Sequence, residues 1–123
     1  MLFRSVAGLR VLLIEDEPIV AVLAEDFLDA IGCVVAATVD TVAEAHKAIA
    51  ALNFDLAMVD INLDGEDGLQ VADALCARKI PFLITTGYDT RGVAPSHPDT
   101  IILSKPYALA DLESAILRCT GRA

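Results

Sequence analysis

Four largely apolar runs in this chain have the length of a β-strand, and each is followed by a polar or charged residue that could bind a ligand or act in a reaction. They are residues 11–14 before Glu15 and Asp16, residues 56–59 before Asp60, residues 82–85 before Thr86, and residues 101–104 before Lys105. Near-continuous apolar strands are typical of a parallel sheet covered on both faces. Ligands bind such a sheet at the carboxyl ends of its strands. The pattern therefore predicts that these polar side chains, together with Asn62, lie close to one another.

Helical patterns alternate with the strand-like runs. Pro18 suits the first position of a helix, and Gly32 suits its end. Between them, apolar residues at helical spacing predict a buried face made of Val20, Leu23, Phe27 and Ile31. A second strand is predicted at residues 33–37.

The remaining helices are predicted from capping and periodicity. Thr41 and Glu44 have the spacing of a capping box, and the predicted buried face after it comprises Val42, Ala45, Ile49 and Leu52. A third helix is predicted at residues 68–78. The last helix should bury Leu109, Leu112, Ile116 and Cys119. Between Thr86 and Lys105 the chain is rich in helix breakers, so we expect the fourth helix to be short or missing.

These elements predict one α/β domain over residues 1–123, with no effector domain. Five strand–helix repeats predict a parallel sheet of five strands with right-handed crossovers. The chain of 123 residues has a net charge of −9, and its nine basic residues are scattered, which argues against nucleic-acid binding. No apolar stretch is long enough to span a membrane. The spacing of the three cysteines suits no metal site, and they are expected to be small core residues in a cytoplasmic protein.

The predicted site combines three carboxylates with one lysine and one hydroxyl. Glu15, Asp16 and Asp60 would repel one another unless a cation compensates their charge. A hard cation with oxygen ligands, above all Mg²⁺, suits this set of ligands. A carboxylate in such a place can accept a phosphoryl group, with Lys105 and Thr86 available to the phosphoryl oxygens.

These residues resemble those of a response-regulator receiver domain of two-component signalling. The matching segments are Glu15-Asp16, Asp60-Ile61-Asn62-Leu63-Asp64-Gly65, Thr86-Gly87 and Lys105-Pro106, each after a predicted strand. The stretch from Thr86-Gly87-Tyr88 to Lys105-Pro106-Tyr107, including Pro95 and His97, is similar to that of single-domain alphaproteobacterial receivers with a Thr-Gly-Tyr-like signature and a reduced fourth helix.

The resemblance implies a flavodoxin-like, doubly wound sheet of five parallel strands in the order 2-1-3-4-5. It also implies a role for each site residue. Asp60 would accept the phosphoryl group from a histidine kinase or histidine phosphotransfer protein. Mg²⁺ would be held by Asp16, Glu15, Asp60 and the backbone carbonyl of Asn62. Thr86 would act as the switch, and Lys105 would pair with Asp60 and then with the phosphoryl group. The resemblance also implies a cis peptide before Pro106.

The resemblance further implies a signalling module and not an enzyme, limited to Mg²⁺-dependent self-phosphorylation and slow autodephosphorylation. Its output would pass to an unknown downstream protein or along a phosphorelay, from a monomer or weak dimer. One departure concerns the readout. Ile102 stands where the family often has a switch aromatic, and Tyr88 and Tyr107 are candidates to replace it.

Several other functions were weighed against this one. Residues 60–65 match the first half of an EF-hand loop, but its twelfth position is Val71 where a bidentate Glu is needed. Acidic groups would repel the phosphate of a flavin, and no glycine-rich phosphate loop is present. Residues 15–17 could also merely favour the dipole of the following helix. A phosphorylation-independent pseudo-receiver that only binds partners remains the alternative.

Overall fold

The computed structural model describes residues 5–63, 65–87 and 100–122. Its strands are β1 (Arg10–Ile14), β2 (Val34–Val39), β3 (Leu56–Asp60), β4 (Asn62–Leu63), β5 (Glu66–Asp67), β6 (Phe82–Thr86) and β7 (Ile101–Ser104). The helices in these residues are α1 (Pro18–Ala30), α2 (Val42–Ala51), α3 (Leu69–Ala77) and α4 (Leu109–Cys119). None of these helices is long and apolar enough to cross a membrane.

The main sheet has five parallel strands in the order β2-β1-β3-β6-β7. This confirms the predicted order and the α/β, flavodoxin-like fold. The predicted short or missing fourth helix falls on residues 88–99, which lie outside the described part of the chain, as do Tyr88, Pro95, His97 and Asp64.

Each face of the sheet carries its own apolar core. Leu13 and Met58 pack with Leu28 of α1 and Ile116 of α4 on one face. The neighbouring strand residues point the other way, so Leu12, Ile14 and Val59 pack with α2 and α3. Because successive strand side chains alternate between faces, a strand covered by helices on both sides must be apolar throughout.

The buried face of α1 differs from the prediction. The helix buries Ala21, Ala24 and Leu28, whereas the side chain of Leu23 is 53% exposed. Both sets have helical spacing, and small alanines allow α1 to lie close to the sheet. The predicted face, which comprised the larger apolar side chains, is therefore displaced by one residue from the face that is buried.

The other predicted elements agree more closely. Pro18 is the first residue of α1, and Gly32 follows it with a φ of +90°. The second strand begins and ends later than predicted, at Val34–Val39. Thr41 caps α2 by accepting a hydrogen bond from the Glu44 N–H, at 3.0 Å. The predicted buried faces of α2 and α4 were each wrong at one residue. Leu52 at the end of α2 and Leu109 at the start of α4 are exposed.

The prediction that all three cysteines are core residues is only partly correct. Cys33 is buried and Cys119 is partly buried, but Cys76 is exposed on α3. Burial raises the pKa of the Cys33 and Cys119 thiols to about 11.

Candidate functional site

Three strand ends bring the predicted acidic residues and the lysine to one edge of the sheet. Glu15 follows β1, Asp60 is the last residue of β3, and Lys105 follows β7. The carboxyl groups of Glu15 and Asp60 are buried, with residue exposures of 5% and 3%. Glu15, Asp16 and Asp60 each offer a carboxylate oxygen, and these oxygens lie within 4.8 Å of one another. The predicted cluster is therefore present.

Lys105 joins the two buried carboxylates. Its ammonium donates to Glu15 Oε1 at 3.1 Å and to Asp60 Oδ2 at 3.3 Å. Its backbone N–H donates to the Thr86 carbonyl at 2.8 Å, which ties the chain after β7 to the end of β6. The Lys105–Pro106 peptide is cis, as the resemblance implied.

The loop after β3 holds the other Asp60 oxygen. Asp60 Oδ1 accepts a hydrogen bond from the Asn62 N–H at 3.1 Å, while the Asn62 side chain is exposed. Gly68, at the start of α3, donates its N–H to the Ile61 carbonyl at 2.7 Å. A Cβ at Gly68 would overlap the Asp60 carbonyl oxygen. Glycine is therefore needed for α3 to begin this close to β3.

Asp60 lies in surroundings that oppose its ionisation. Burial, together with a hydrogen bond to Glu15 and the Glu15 charge, raises the pKa of Asp60 from 3.8 to about 7. The Asn62 N–H and the Lys105 charge act in the opposite direction but do not cancel the effect. Burial alone would lower the pKa of Lys105, but the two carboxylates outweigh it and raise that pKa. The carboxyl groups thus hold the lysine charged.

The set of ligands fits a divalent cation. Three carboxylates facing one ammonium leave two excess negative charges when all are ionised. All the candidate ligands are oxygen atoms, as a hard cation such as Mg²⁺ requires. Asp16 is half-buried and lies at the mouth of the cluster, so the site is open on one side. This fit supports the predicted metal ligands.

The described structure places Thr86 and Ile102 near one another in the sheet, on neighbouring strands. Thr86 is fully buried at the end of β6, and Ile102 of β7 pairs with Ile84. Ile102 packs with Ala72 and Ile84 in a small apolar cluster between the sheet and α3. The position where the family often has an aromatic residue is therefore occupied by a partly buried aliphatic one.

A cavity of about 430 Å³ lies beside Asp60 and α1. Asp60 and Lys105 are among its polar lining residues. Its apolar walls include Leu23 and Phe27 of α1 and Tyr107 after β7. The Phe27 and Tyr107 rings meet edge to face, with centroids 6.0 Å apart. Burial and the nearby Glu15 charge raise the pKa of the Tyr107 hydroxyl to about 12.

Sequence reasoning missed the α1 side of this cavity. It assigned Val20, Leu23 and Phe27 to the core. All three line the cavity and Leu23 is half exposed, whereas Phe27 also packs against the core. It also missed Glu17, whose carboxylate lies 4.0 Å from the Lys105 ammonium. The proximity of Glu17 to Glu15 and Asp16 in the sequence was the available signal. For the cavity wall no signal was available, since it depends on how α1 rotates against the sheet.

Comparison with known proteins identifies the family. The family model described as response regulator receiver domain matches residues 11–117. The chain belongs to this receiver family. Receiver domains serve two-component signalling, in general as non-catalytic modules that interact with histidine kinases or phosphotransfer proteins.

Individual relatives agree with this assignment. The chain is 36% identical over 86 residues to the transcriptional regulatory protein TcrA of Mycobacterium tuberculosis. The matched region covers 66% of this chain and 32% of TcrA. It is 32% identical over 111 residues to the phyllosphere-induced regulator PhyR of Methylorubrum extorquens, covering 87% of this chain and 42% of PhyR. The chain thus spans less than half the length of both curated relatives.

A solved structure matches nearly end to end. The solution structure of SdrG from Sphingomonas melonis Fr1 superposes with a TM-score of 0.81 and 36% sequence identity. The match covers 91% of this chain and 96% of SdrG.

Proposed function

We propose that this receiver accepts a phosphoryl group on Asp60 from a histidine kinase or histidine phosphotransfer protein. The reaction depends on Mg²⁺, and the phosphorylated domain signals through protein contacts or passes the group along a phosphorelay. The observation that carries the proposal is the buried Asp60 carboxylate, held by the Lys105 ammonium and the Asn62 N–H beside Glu15 and Asp16. The cavity leaves this carboxylate reachable from outside.

In the proposed reaction, Asp60 attacks the phosphorus of a phosphohistidine. A new oxygen–phosphorus bond forms and the phosphorus–nitrogen bond of the donor breaks, with its electron pair going to the imidazole. The Lys105 ammonium offsets charge on the phosphoryl oxygens as they approach. The Thr86 hydroxyl is the proposed partner of one of these oxygens after transfer.

The acidic residues are the proposed metal ligands. Asp16, Glu15, Asp60 and the Asn62 carbonyl would hold Mg²⁺. When bound, the ion supplies positive charge that favours the ionised form of Asp60 and offsets the charge of the incoming group. Because burial and Glu15 raise the pKa of Asp60 to about 7, only part of the acceptor is ionised near neutral pH without this compensation.

The proposed state change is electrostatic. A phosphoryl group at Asp60 adds negative charge at a buried site and competes with Glu15 for the Lys105 ammonium. The backbone bond between Lys105 and Thr86 gives the two strand ends a direct connection. We assign the output to the region beyond Thr86 and to β7.

Intact-protein mass spectrometry tests the proposal. The protein is incubated with Mg²⁺ and phosphoramidate, beside Asp60→Asn and an EDTA control. One phosphoryl adduct, dependent on Mg²⁺ and missing in Asp60→Asn, is the expected result. No adduct under conditions that label a known receiver would favour the pseudo-receiver, which binds partners without phosphorylation.

A further inference from the structure

Glu15 and Lys105 follow strands that are not neighbours. In the described sheet, β3 and β6 lie between β1 and β7, so no strand pairing joins the segment after β1 to the segment after β7. The ion pair between Lys105 Nζ and Glu15 Oε1, at 3.1 Å, therefore bridges two intervening strands. Such a bridge depends on how firmly each segment is held, because a free lysine side chain has many rotamers.

The segment after β7 is held by its backbone at both ends. The Lys105 N–H donates to the Thr86 carbonyl at 2.8 Å, and the Ala108 N–H donates to the Asp111 carboxylate at 3.3 Å where α4 begins. Between these two hydrogen bonds, the side chain of Tyr107 packs against the apolar core shared by α1 and α4. Tyr107 is thus a side-chain anchor in the middle of this segment.

Tyr107 meets α1 at Phe27. The two ring centroids are 6.0 Å apart and the ring planes are 66° apart, which is the edge-to-face arrangement that aromatic pairs favour. Both rings are partly buried, and Phe27 packs against the same core. Since α1 begins at Pro18, directly after the acidic residues, the ring pair is a second link between the two segments that Lys105 joins to Glu15.

The Tyr107 side chain also lies close to the charges of the site. Burial and the Glu15 charge raise the pKa of the Tyr107 hydroxyl to about 12, and the Lys105 charge acts in the opposite direction. Lys105 and Tyr107 line the same cavity. Because Tyr107 follows Lys105 by two residues, a displaced ring would displace the backbone that carries the ammonium.

We propose that Tyr107 is a positioning residue for the phosphoryl site: its ring, held by Phe27, keeps the Lys105 ammonium within reach of the site carboxylates. The inference rests on the proposed function of Asp60. When a phosphoryl group forms at Asp60, a lysine held in this way changes partner without first having to be ordered. Ile102 has no such part, because it packs on the side of α3.

Amide NMR shifts at Thr86 and β7, measured before and after addition of excess phosphoramidate in Mg²⁺, test the inference. Tyr107→Leu should still gain the phosphoryl group, as measured by mass spectrometry. It should lose at least half of the wild-type change in shift, because Lys105 is no longer held in place. Tyr107→Phe keeps the ring and should keep the response.

The same contact can be broken from α1. Phe27→Leu should reduce the response as Tyr107→Leu does. The double variant should show no further loss, since each single substitution already removes the ring pair. If Tyr107→Leu does not fold, Phe27→Leu carries the test by itself.

Phe54→Leu separates positioning from general stability. Phe54 is another partly buried ring, but it packs against the core on the opposite face of the sheet, with α2 and α3. Its loss should lower the melting temperature by an amount similar to that of Phe27→Leu and leave the response to phosphorylation at the wild-type value.

The possible outcomes are distinct. A wild-type response in Phe27→Leu or Tyr107→Leu would overturn the inference and leave both rings to core packing. An equal loss in Phe54→Leu would overturn it as well, because the response would then follow stability alone. Loss of the response in Tyr107→Phe would assign the effect to the hydroxyl and overturn the role of the ring. Labelling of wild type keeps the proposed function of Asp60 intact in all these cases, whereas failure to label wild type would overturn both proposals.

Discussion

Asp60 combines two requirements that oppose each other. As the proposed acceptor, it must be buried so that a phosphoryl group can affect the surrounding strands, and it must be ionised to act as a nucleophile. Burial and Glu15 raise its pKa from 3.8 to about 7, and Lys105 offsets only part of this effect. A bound cation resolves the conflict because it favours the ionised form.

The raised pKa of Asp60 predicts a pH-dependent stability in EDTA. As pH rises from about 4 to 7, the unfolded chain releases this proton before the folded one, so the free energy of unfolding falls across that window. Asp60→Asn cannot ionise and escapes this loss. Its stability relative to wild type should therefore increase between pH 5 and pH 8, by about 2 kcal/mol and at most about 4 kcal/mol.

Urea unfolding at pH 5 and pH 8 measures this difference. Asp29→Asn, an exposed carboxylate on α1, is the control and should show no such trend. A constant difference between wild type and Asp60→Asn across the two pH values would contradict the raised pKa.

At the scale of elements, the connection between β3 and α3 sets the geometry of the acceptor. It forms the short antiparallel pair β4–β5, and the Asp67 carboxylate accepts the Leu69 N–H at 2.9 Å where α3 begins. Gly68 lies against the backbone of Asp60 and Ile61. Through this contact, the start of α3 supports the backbone of the proposed acceptor.

Gly68→Ala should destabilise the protein by about 2 kcal/mol or more, because the new methyl group overlaps the Asp60 carbonyl and forces α3 away from β3. Thermal unfolding measures the loss. Gly87→Ala is the control, since no described atom lies within 4 Å of a Cβ placed there. Equal melting temperatures for Gly68→Ala and wild type would show that α3 does not approach β3 this closely.

The α1 helix shows how an element can be predicted while its orientation is missed. Pro18 and Gly32 bounded it correctly, but its alanine-rich side faces the sheet. As a result, Leu23 lines a cavity beside the site and does not fill the core.

For the whole molecule, cation binding and folding should be linked. A ligand that binds the folded state stabilises it, by about 2.7 kcal/mol at one hundred times its dissociation constant. Since the three carboxylates come from the ends of β1 and β3, which are far apart in the sequence, the unfolded chain has no comparable site. We expect Mg²⁺ to raise the melting temperature of wild type, and the increase to shrink strongly in Asp16→Asn. An increase of equal size in Asp16→Asn would exclude this residue as a ligand.

Lys105 connects the site to the rest of the molecule. Lys105→Ala should still accept a phosphoryl group but should lose most of the structural response to phosphorylation. The reason is that this variant lacks the ammonium whose partner would change from Glu15 to the phosphoryl group. Amide NMR shifts at Thr86 and β7, compared before and after phosphorylation, measure this response. Lys47→Ala removes an exposed lysine that pairs with Glu44 on α2 and should behave as wild type. A full wild-type response in Lys105→Ala would contradict the proposed coupling.

The sequence by itself determined which segments form the buried strands and the place where the site residues meet. It could do so because buried parallel strands are apolar runs, and because the residue that follows such a run must lie at the carboxyl edge of the sheet. Glu15, Asp16, Asp60 and Lys105 were found in this way.

Only the tertiary structure decided which face of α1 is buried, that Lys105 bridges Glu15 and Asp60, and that the Asp60 pKa is raised. Helical spacing is equally satisfied by two neighbouring faces, and the close approach that favours alanine appears only when the helix meets the sheet. The bridging distances and the raised pKa depend on how three strand ends pack together and exclude water. No single segment of the sequence contains that information.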